Sequence, residues 1–131
     1  MKTTKNIKLV DSILNKCFVA GDGPYHKPNT VWWILYDEKI PIGTAGLTIE
    51  NNEGFLCRVA ILPEYRGKGL QKKLIKTRVR KAKKLGLTRV FTYTFLNNPQ
   101  SCNSLIKTGF KMYRPAYQWA GTDALYWYKL I

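Results

Sequence analysis

The densest chemical signal in the chain is Pro63-Glu64-Tyr65-Arg66-Gly67-Lys68-Gly69-Leu70-Gln71-Lys72. Glycine has no Cβ, so a ligand can come close to the main chain at Gly67 and Gly69. The segment follows Phe55 to Leu62, an apolar, branched run that reads as a strand. It precedes a stretch in which Leu70, Leu74, Ile75, Val79, Ala82 and Leu85 recur at helical spacing, with Gly86 as the stop. At a strand-to-helix turn the first helical amides lack internal partners and the helix dipole is positive. Free N–H groups, close backbone approach and nearby cations together predict a cradle for a diphosphate, with Lys72 in the first helical turn the best placed side chain. The same residues also read as a turn and nothing more. Two other phosphate motifs are absent: G-x-x-x-x-G-K-[ST], and G-x-G-x-x-G followed by an acidic residue.

The elements that must position this turn are legible on both sides of it. Lys5 to Leu9 reads as a short first strand, and Asp11 or Ser12 as the cap of a helix running to Val19. Gly21 to Asn29 is a Gly- and Pro-rich loop holding His26, the single histidine, which reads as a solvated side chain. Val31 to Tyr36 and Ile40 to Ile49 are strands joined at Asp37-Glu38-Lys39. Gly43 and Gly46 suggest a bulge or a close approach in the second of them. A turn at Glu50 to Gly54 leads into the strand before the cradle, which completes an antiparallel meander. Thr88 to Leu96 alternates Val90, Thr92, Thr94 against Phe91, Tyr93, Phe95. It is a strand that follows a crossover helix and so runs parallel to the cradle strand. Asn98 caps a helix from Pro99 to Lys107, which Gly109 ends. Lys111 to Pro115 and Ala124 to Leu130 are the last strands, joined by a loop from Ala116 to Asp123. The aromatic final strand is available to pair with a second copy of the chain as a homodimer.

The 131 residues suit one domain, residues 1–131, with a real core and no room for a second. No apolar run approaches a membrane span, and no signal-peptide pattern follows Met1. Cys17, Cys57 and Cys102 are scattered without metal-ligand spacing, so no metal is expected. A reduced, cytoplasmic setting is expected over a disulfide framework. A net charge of +14 implies an anionic partner: a phosphorylated ligand, nucleic acid or an acidic substrate. The basic residues between Lys72 and Lys84 read either as a solvated helix face or as an electrostatic funnel for a polyanion.

Arg66-Gly67-Lys68-Gly69-Leu70-Gln71 resembles the acetyl-CoA signature Q/R-x-x-G-x-G/A of the GCN5-related N-acetyltransferases, the GNAT family, with Gln71 standing where Gly or Ala is usual. The preceding Ala60-Ile61-Leu62-Pro63-Glu64-Tyr65 is also similar to that family. So is Asn98-x-x-Ser101-x-x-x-Leu105-x-Lys107-x-Gly109-Phe110, which matches its second signature. The two matches span roughly Phe55 to Phe110. The resemblance implies an α/β, single-domain GNAT-like fold: a mixed, mostly antiparallel sheet with splayed fourth and fifth strands, flanked by helices. It implies acetyl-CoA as co-substrate and an amine acceptor, small molecule or protein. Arg66, Gly67, Lys68, Gly69, Leu70, Gln71 and Lys72 would hold the pyrophosphate. Main-chain groups of Val59, Ala60 and Ile61 would hold the pantetheine like an added strand, and Asn98 and Ser101 would complete its site.

The usual catalytic side chains differ. Leu105 occupies the position of the family's acid tyrosine, and Tyr93 that of the base glutamate found in some members. Candidate stand-ins are Tyr113 and Tyr117 as acid, and Glu53 or Asp123, through water, as base. A lysine amine with pKa about 10.4 lies roughly 4.6 kcal/mol from its free base at pH 7, whereas an α-amine near 7.8 lies only about 1 kcal/mol away. Direct attack without a dedicated base therefore suits a weakly basic amine. The expected activity is acetyl transfer from acetyl-CoA to an amine in a ternary complex. The alternative is a non-catalytic basic module of the same fold that binds nucleic acid or an acidic protein.

Overall fold

Period and alternation account for most of the elements. In the computed structural model, which describes residues 1–17 and 27–131, they form in the order β1 (Lys2–Thr4), α1 (Ile7–Cys17), β2 (Thr30–Asp37), β3 (Ile40–Glu50), β4 (Glu53–Ile61), α2 (Leu70–Lys84), β5 (Arg89–Phe95), α3 (Pro99–Lys107), β6 (Lys111–Tyr113) and β7 (Ala124–Leu130). A single 3-10 turn, Pro63–Tyr65, links β4 to the glycine turn.

The strands make one sheet in the order β1-β2-β3-β4-β5-β7-β6. Every pairing is antiparallel except β4 with β5, the pair joined through the crossover helix α2. Successive side chains of a strand point to opposite faces, and β2 shows what that does. Trp32 packs with Val10, Ile13 and Leu14 of α1, while Trp33 packs with Ile75 and Val79 of α2 and Leu105 of α3. Helix α1 thus covers one face of the sheet, and α2 and α3 cover the other. Trp127 of β7 is buried on the α2 side, where its indole N–H donates to Thr94 Oγ1 at 3.0 Å, so its polar edge is satisfied.

The pairing of β4 with β5 ends early. Only Glu53↔Arg89, Gly54↔Val90 and Phe55↔Phe91 are in register. The strands are tight there: a Cβ on Gly54 would stand 2.8 Å from Leu47 Cδ1 and 3.2 Å from Val90 Cγ1. Beyond Phe55 they part, and the Thr92 hydroxyl donates to Leu56 O at 2.8 Å, taking up a carbonyl that the ladder would otherwise have paired. On its other edge β4 carries a bulge. The register with β3 passes from Gly46↔Cys57 to Thr44↔Ala60, so Arg58 and Val59 oppose Ala45 alone, and Arg58 has φ 46°. A bulge bends the strand that carries it, and here the bend lies in the splayed half of β4.

Three expectations are corrected. The stretch from Lys5 to Leu9 is not a strand. Asn6 caps α1, its Oδ1 accepting from Leu9 N at 3.1 Å, and Asp11 and Ser12 lie inside the helix. The bulge or close approach expected at Gly43 and Gly46 is present: beside Gly43 the register of β3 with β2 passes from Leu35↔Gly43 to Tyr36↔Pro41, leaving Ile42 extra, and a Cβ on Gly46 would lie 2.7 Å from Cys57 Sγ. Strand β6 stops at Tyr113. The final strand β7 is an inner strand and not the free edge expected for pairing with a second copy: it is paired with β5 along its length and with β6 at Tyr126, Trp127 and Tyr128. The end of the first helix beyond Cys17, and His26, fall outside the described residues.

Candidate active site

The glycine turn has the geometry that its sequence predicts. Gly67 and Gly69 have φ 80° and 75°, a left-handed conformation that side chains disfavour, and a Cβ at either position would meet nothing within 4 Å. Gly69 is the N-cap of α2 and has no side chain with which to cap it. The first bond into the helix is Lys73 N to Gly69 O at 3.3 Å, which leaves the amides of Leu70, Gln71 and Lys72 at the open helix start. Arg66 Nε donates to Ile61 O at 2.8 Å, tying the turn to the end of β4. Open amides at a helix start are the arrangement that favours an anion, and Arg66, Lys68 and Lys72 lie in or next to the same turn.

From this region a cleft of about 750 Å³ opens into the gap between β4 and β5. Val59, Gln71, Asn98 and Ser101 line it. Gln71 reaches inward, its Nε2 donating to Ser101 Oγ at 2.9 Å, and Ser101 N donates to Asn98 Oδ1 at 3.2 Å as the cap of α3. These three residues, drawn from two separate sequence matches, are linked through the side chain and the backbone N–H of Ser101. Ala60 is instead buried with Leu62 against α1, and the carbonyl of Ile61 is engaged by Arg66 and by Cys17 Sγ at 3.6 Å. Leu105 presents an apolar wall.

The four stand-in catalytic groups do not line the cleft. Glu53 is ion-paired with Arg89 at the closed end of the β4–β5 pair. Tyr113 stacks edge-on to Tyr126 and Tyr128 with the Arg89 guanidinium over its ring, Tyr117 is 74% exposed, and Asp123 borders a small separate hollow with Phe95, Leu96 and Asn97.

Two features of the cleft are not singled out by motif. The first is Arg78, which is only 2% exposed; its Nε donates to Leu74 O at 3.2 Å and its Nη1 to Gly46 O at 3.1 Å. Burial lowers its pKa to about 10, partly offset by Cys57, and burial pushes the Cys57 thiol up. Arg78 therefore does not belong to the solvated basic face of α2. The signal for this is its spacing: it falls on the stripe Leu74, Ile75, Val79, Ala82. The second is an aromatic wall on the face opposite α2. Phe55 and Phe91 stack with centroids 5.3 Å apart, and Trp119, from the loop before β7, meets Phe55, Phe91 and Tyr93 edge-on at 5.8, 5.9 and 5.6 Å. The loop is held by the Tyr126 hydroxyl, which donates to Gly121 O at 2.9 Å and accepts from Ala120 N at 3.0 Å.

The profile of the acetyltransferase (GNAT) family matches residues 8–110. The chain belongs to the GNAT acetyltransferases. Among solved structures, the ribosomal-protein-S18-alanine N-acetyltransferase of Escherichia coli superposes with a TM-score of 0.79 at 16% identity, over 99% of this chain and 92% of that one. The PaiA N-acetyltransferase of Thermoplasma acidophilum, in complex with coenzyme A, has a TM-score of 0.70 at 22% identity, over 79% of this chain and 62% of that one. A Bacillus anthracis str. Ames protein named as a streptothricin acetyltransferase, in complex with acetyl coenzyme A, has a TM-score of 0.67 at 26% identity, over 81% and 66%. No curated protein sequence matches the chain. The GNAT fold is thus shared almost end to end with the first of these, and it places this chain in a family of acetyl-CoA-dependent acetyltransferases. Among the described residues no helix is long and apolar enough to cross a membrane, and no group of side chains has the makings of a metal site.

Proposed function

We propose that this GNAT chain binds acetyl-CoA and transfers its acetyl group to an amine within a ternary complex. One observation carries the reading: the left-handed glycine turn, open where a Cβ would stand, adjoins a cleft between splayed parallel strands. The space fits the coenzyme. A compact, multiply charged diphosphate suits bare amides at a helix start, and a slender amide-bearing arm suits an unpaired strand edge.

In this reading the backbone at Gly67 through Lys72 receives the diphosphate, with Arg66, Lys68 and Lys72 balancing its charge. The bulged edge of β4 at Val59 offers main-chain groups to the pantetheine, whereas Ala60 and the already engaged carbonyl of Ile61 carry no part of it. Gln71, Asn98 and Ser101 form the opposite bank. Bound there, the thioester supplies an activated acetyl group. The chain's task is to align it, exclude water with Leu105 and Ile75, and admit the amine. Tyr113, Tyr117 and Glu53 carry no part of this proposal, because none of them lines the cleft.

Isothermal titration with acetyl-CoA tests the reading directly, with release of free thiol in the presence of an amine as the second measure. Saturable binding supports it. No binding at hundreds of micromolar coenzyme refutes it.

A further inference from the structure

We propose that the acceptor is an aromatic amine with a weakly basic nitrogen, seated against the aromatic wall of the cleft. The proposal rests on the acetyltransferase reading above and deepens it.

The cleft reaches both faces of the sheet. Gln71, Asn98 and Ser101 stand on α2 and α3, on one side. On β5, Tyr93 and Phe95 alternate with Val90, Thr92 and Thr94, of which Val90 packs into the core beneath α2, so their rings point to the other face. There Phe55, Tyr93, Phe95 and Trp119 line the mouth, and Phe95 is 52% exposed. The Tyr93 ring meets Phe95 and Trp119 edge-on at 5.6 Å in both cases, which leaves the outer surface of Phe95 free for a planar group.

The charges of the mouth select the same kind of ligand. Among the described residues no carboxylate lines the cleft, whereas Lys27, Arg58 and Arg78 do. Two acidic groups of the neighbouring strands are already paired, Glu53 with Arg89 and Glu50 with Lys27 at 3.6 Å, so the charge of Lys27 is balanced in turn and Arg58 and Arg78 are the other cations of the lining. An aromatic wall can attract an ammonium through its ring faces. Here the protein's own cations take that role, with Lys27 Nζ 5.6 Å from the centre of the Phe55 ring and the Arg89 guanidinium 5.4 Å from that of Phe91. A polyamine or a lysine side chain would enter a positive cleft with no carboxylate base among its described lining residues, and only about one lysine-type amine in 2,500 is neutral at pH 7. An amine conjugated to an aromatic ring is already the free base. Its nitrogen lone pair attacks the thioester carbonyl carbon, the C–N bond forms and the C–S bond breaks. Sulfur keeps the electron pair, and the proton from nitrogen ends on it, giving an amide and free coenzyme thiol. A carboxylate on the ring is compatible with the positive lining.

The test uses the full chain with acetyl-CoA and follows thiol release with aniline, 4-aminobenzoate, benzylamine, spermidine and a lysine-containing peptide. Aniline and 4-aminobenzoate are expected to exceed spermidine and the peptide in kcat/KM by at least about tenfold, with benzylamine, aromatic but strongly basic, between them. Phe95→Ala and Trp119→Ala are expected to raise the KM of the aromatic amines while leaving acetyl-CoA affinity unchanged by calorimetry. Phe95 is exposed, so its replacement does not endanger folding. Preference for spermidine or the peptide, acetyl-CoA binding without release of its thiol in the presence of any aromatic amine, or an unchanged KM in Phe95→Ala overturns this inference alone. Absence of acetyl-CoA binding overturns the acetyltransferase reading and this inference with it.

Discussion

Alanine at Gly69 separates what the glycine turn does for the fold from what it does for the ligand. Gly67, Gly69 and Gly86 have φ 80°, 75° and 77°, and a Cβ at any of the three meets nothing within 4 Å. Alanine at each therefore costs only left-handed strain, about 1–2 kcal/mol. In a chain of this size that lowers Tm by about 3–10 °C, and similarly for all three. Gly86 ends α2, far along the helix from the turn at its start. At Gly69 and Gly67 the added methyl also projects into the space proposed for the diphosphate. Displacement of even one charged hydrogen bond there costs about 1.5–3 kcal/mol, a rise in the Kd of coenzyme A of about 10- to 150-fold. Thermal melts and isothermal titration on the three variants check this. Equal losses of Tm with affinity lost only in Gly67→Ala and Gly69→Ala are expected. Native affinity in both of those variants, or equal loss of affinity in Gly86→Ala, would refute the cradle.

Three further outcomes follow from the geometry. Thr92→Val keeps shape but leaves Leu56 O without its donor, so urea denaturation is expected to show a loss of about 1–3 kcal/mol with an unchanged m-value. Arg78→Met removes a buried cation whose pKa is lowered to about 10 from 12.5, a depression that disfavours the folded state at neutral pH by about 3 kcal/mol, and it sacrifices the bond to Gly46 O, so the two nearly cancel. Arg78→Ala opens a cavity as well and is expected to be less stable than Arg78→Met by about 2–4 kcal/mol in the same assay. Tyr113→Phe and Tyr117→Phe are expected to leave kcat within about twofold of native in the thiol-release assay, whereas a drop of two orders of magnitude or more in either would restore a general acid.

The glycine turn and the helix starts of the candidate site are legible because their signals are local. Two glycines between an apolar run and a helical period leave few options, and Asn98 with Pro99 marks a helix start within two residues. What escaped depends on partners distant in sequence. Arg58 bears no mark of a bulge; its positive φ is imposed by registers on either side with β3. Asn6 is hidden as a cap because Lys5 to Leu9 also suits a short strand, although Leu9, Val10, Ile13 and Leu14 recur at helical spacing. The aromatic residues of β5 were legible as one face of a strand, but alternation does not say which face a cleft will reach. That required Trp119, which a loop brings over Phe55 and Tyr93 from more than twenty residues away.

Strand β7 is last in chain order yet stands between β5 and β6. On the ribosome, one flank of β5 and the whole of β6 must therefore wait for residues 124–130 to emerge before either finds its neighbour. Until that moment the nascent polypeptide displays sticky, unpaired β-structure beside a row of bare rings, the kind of surface that chaperones hold and that aggregates recruit.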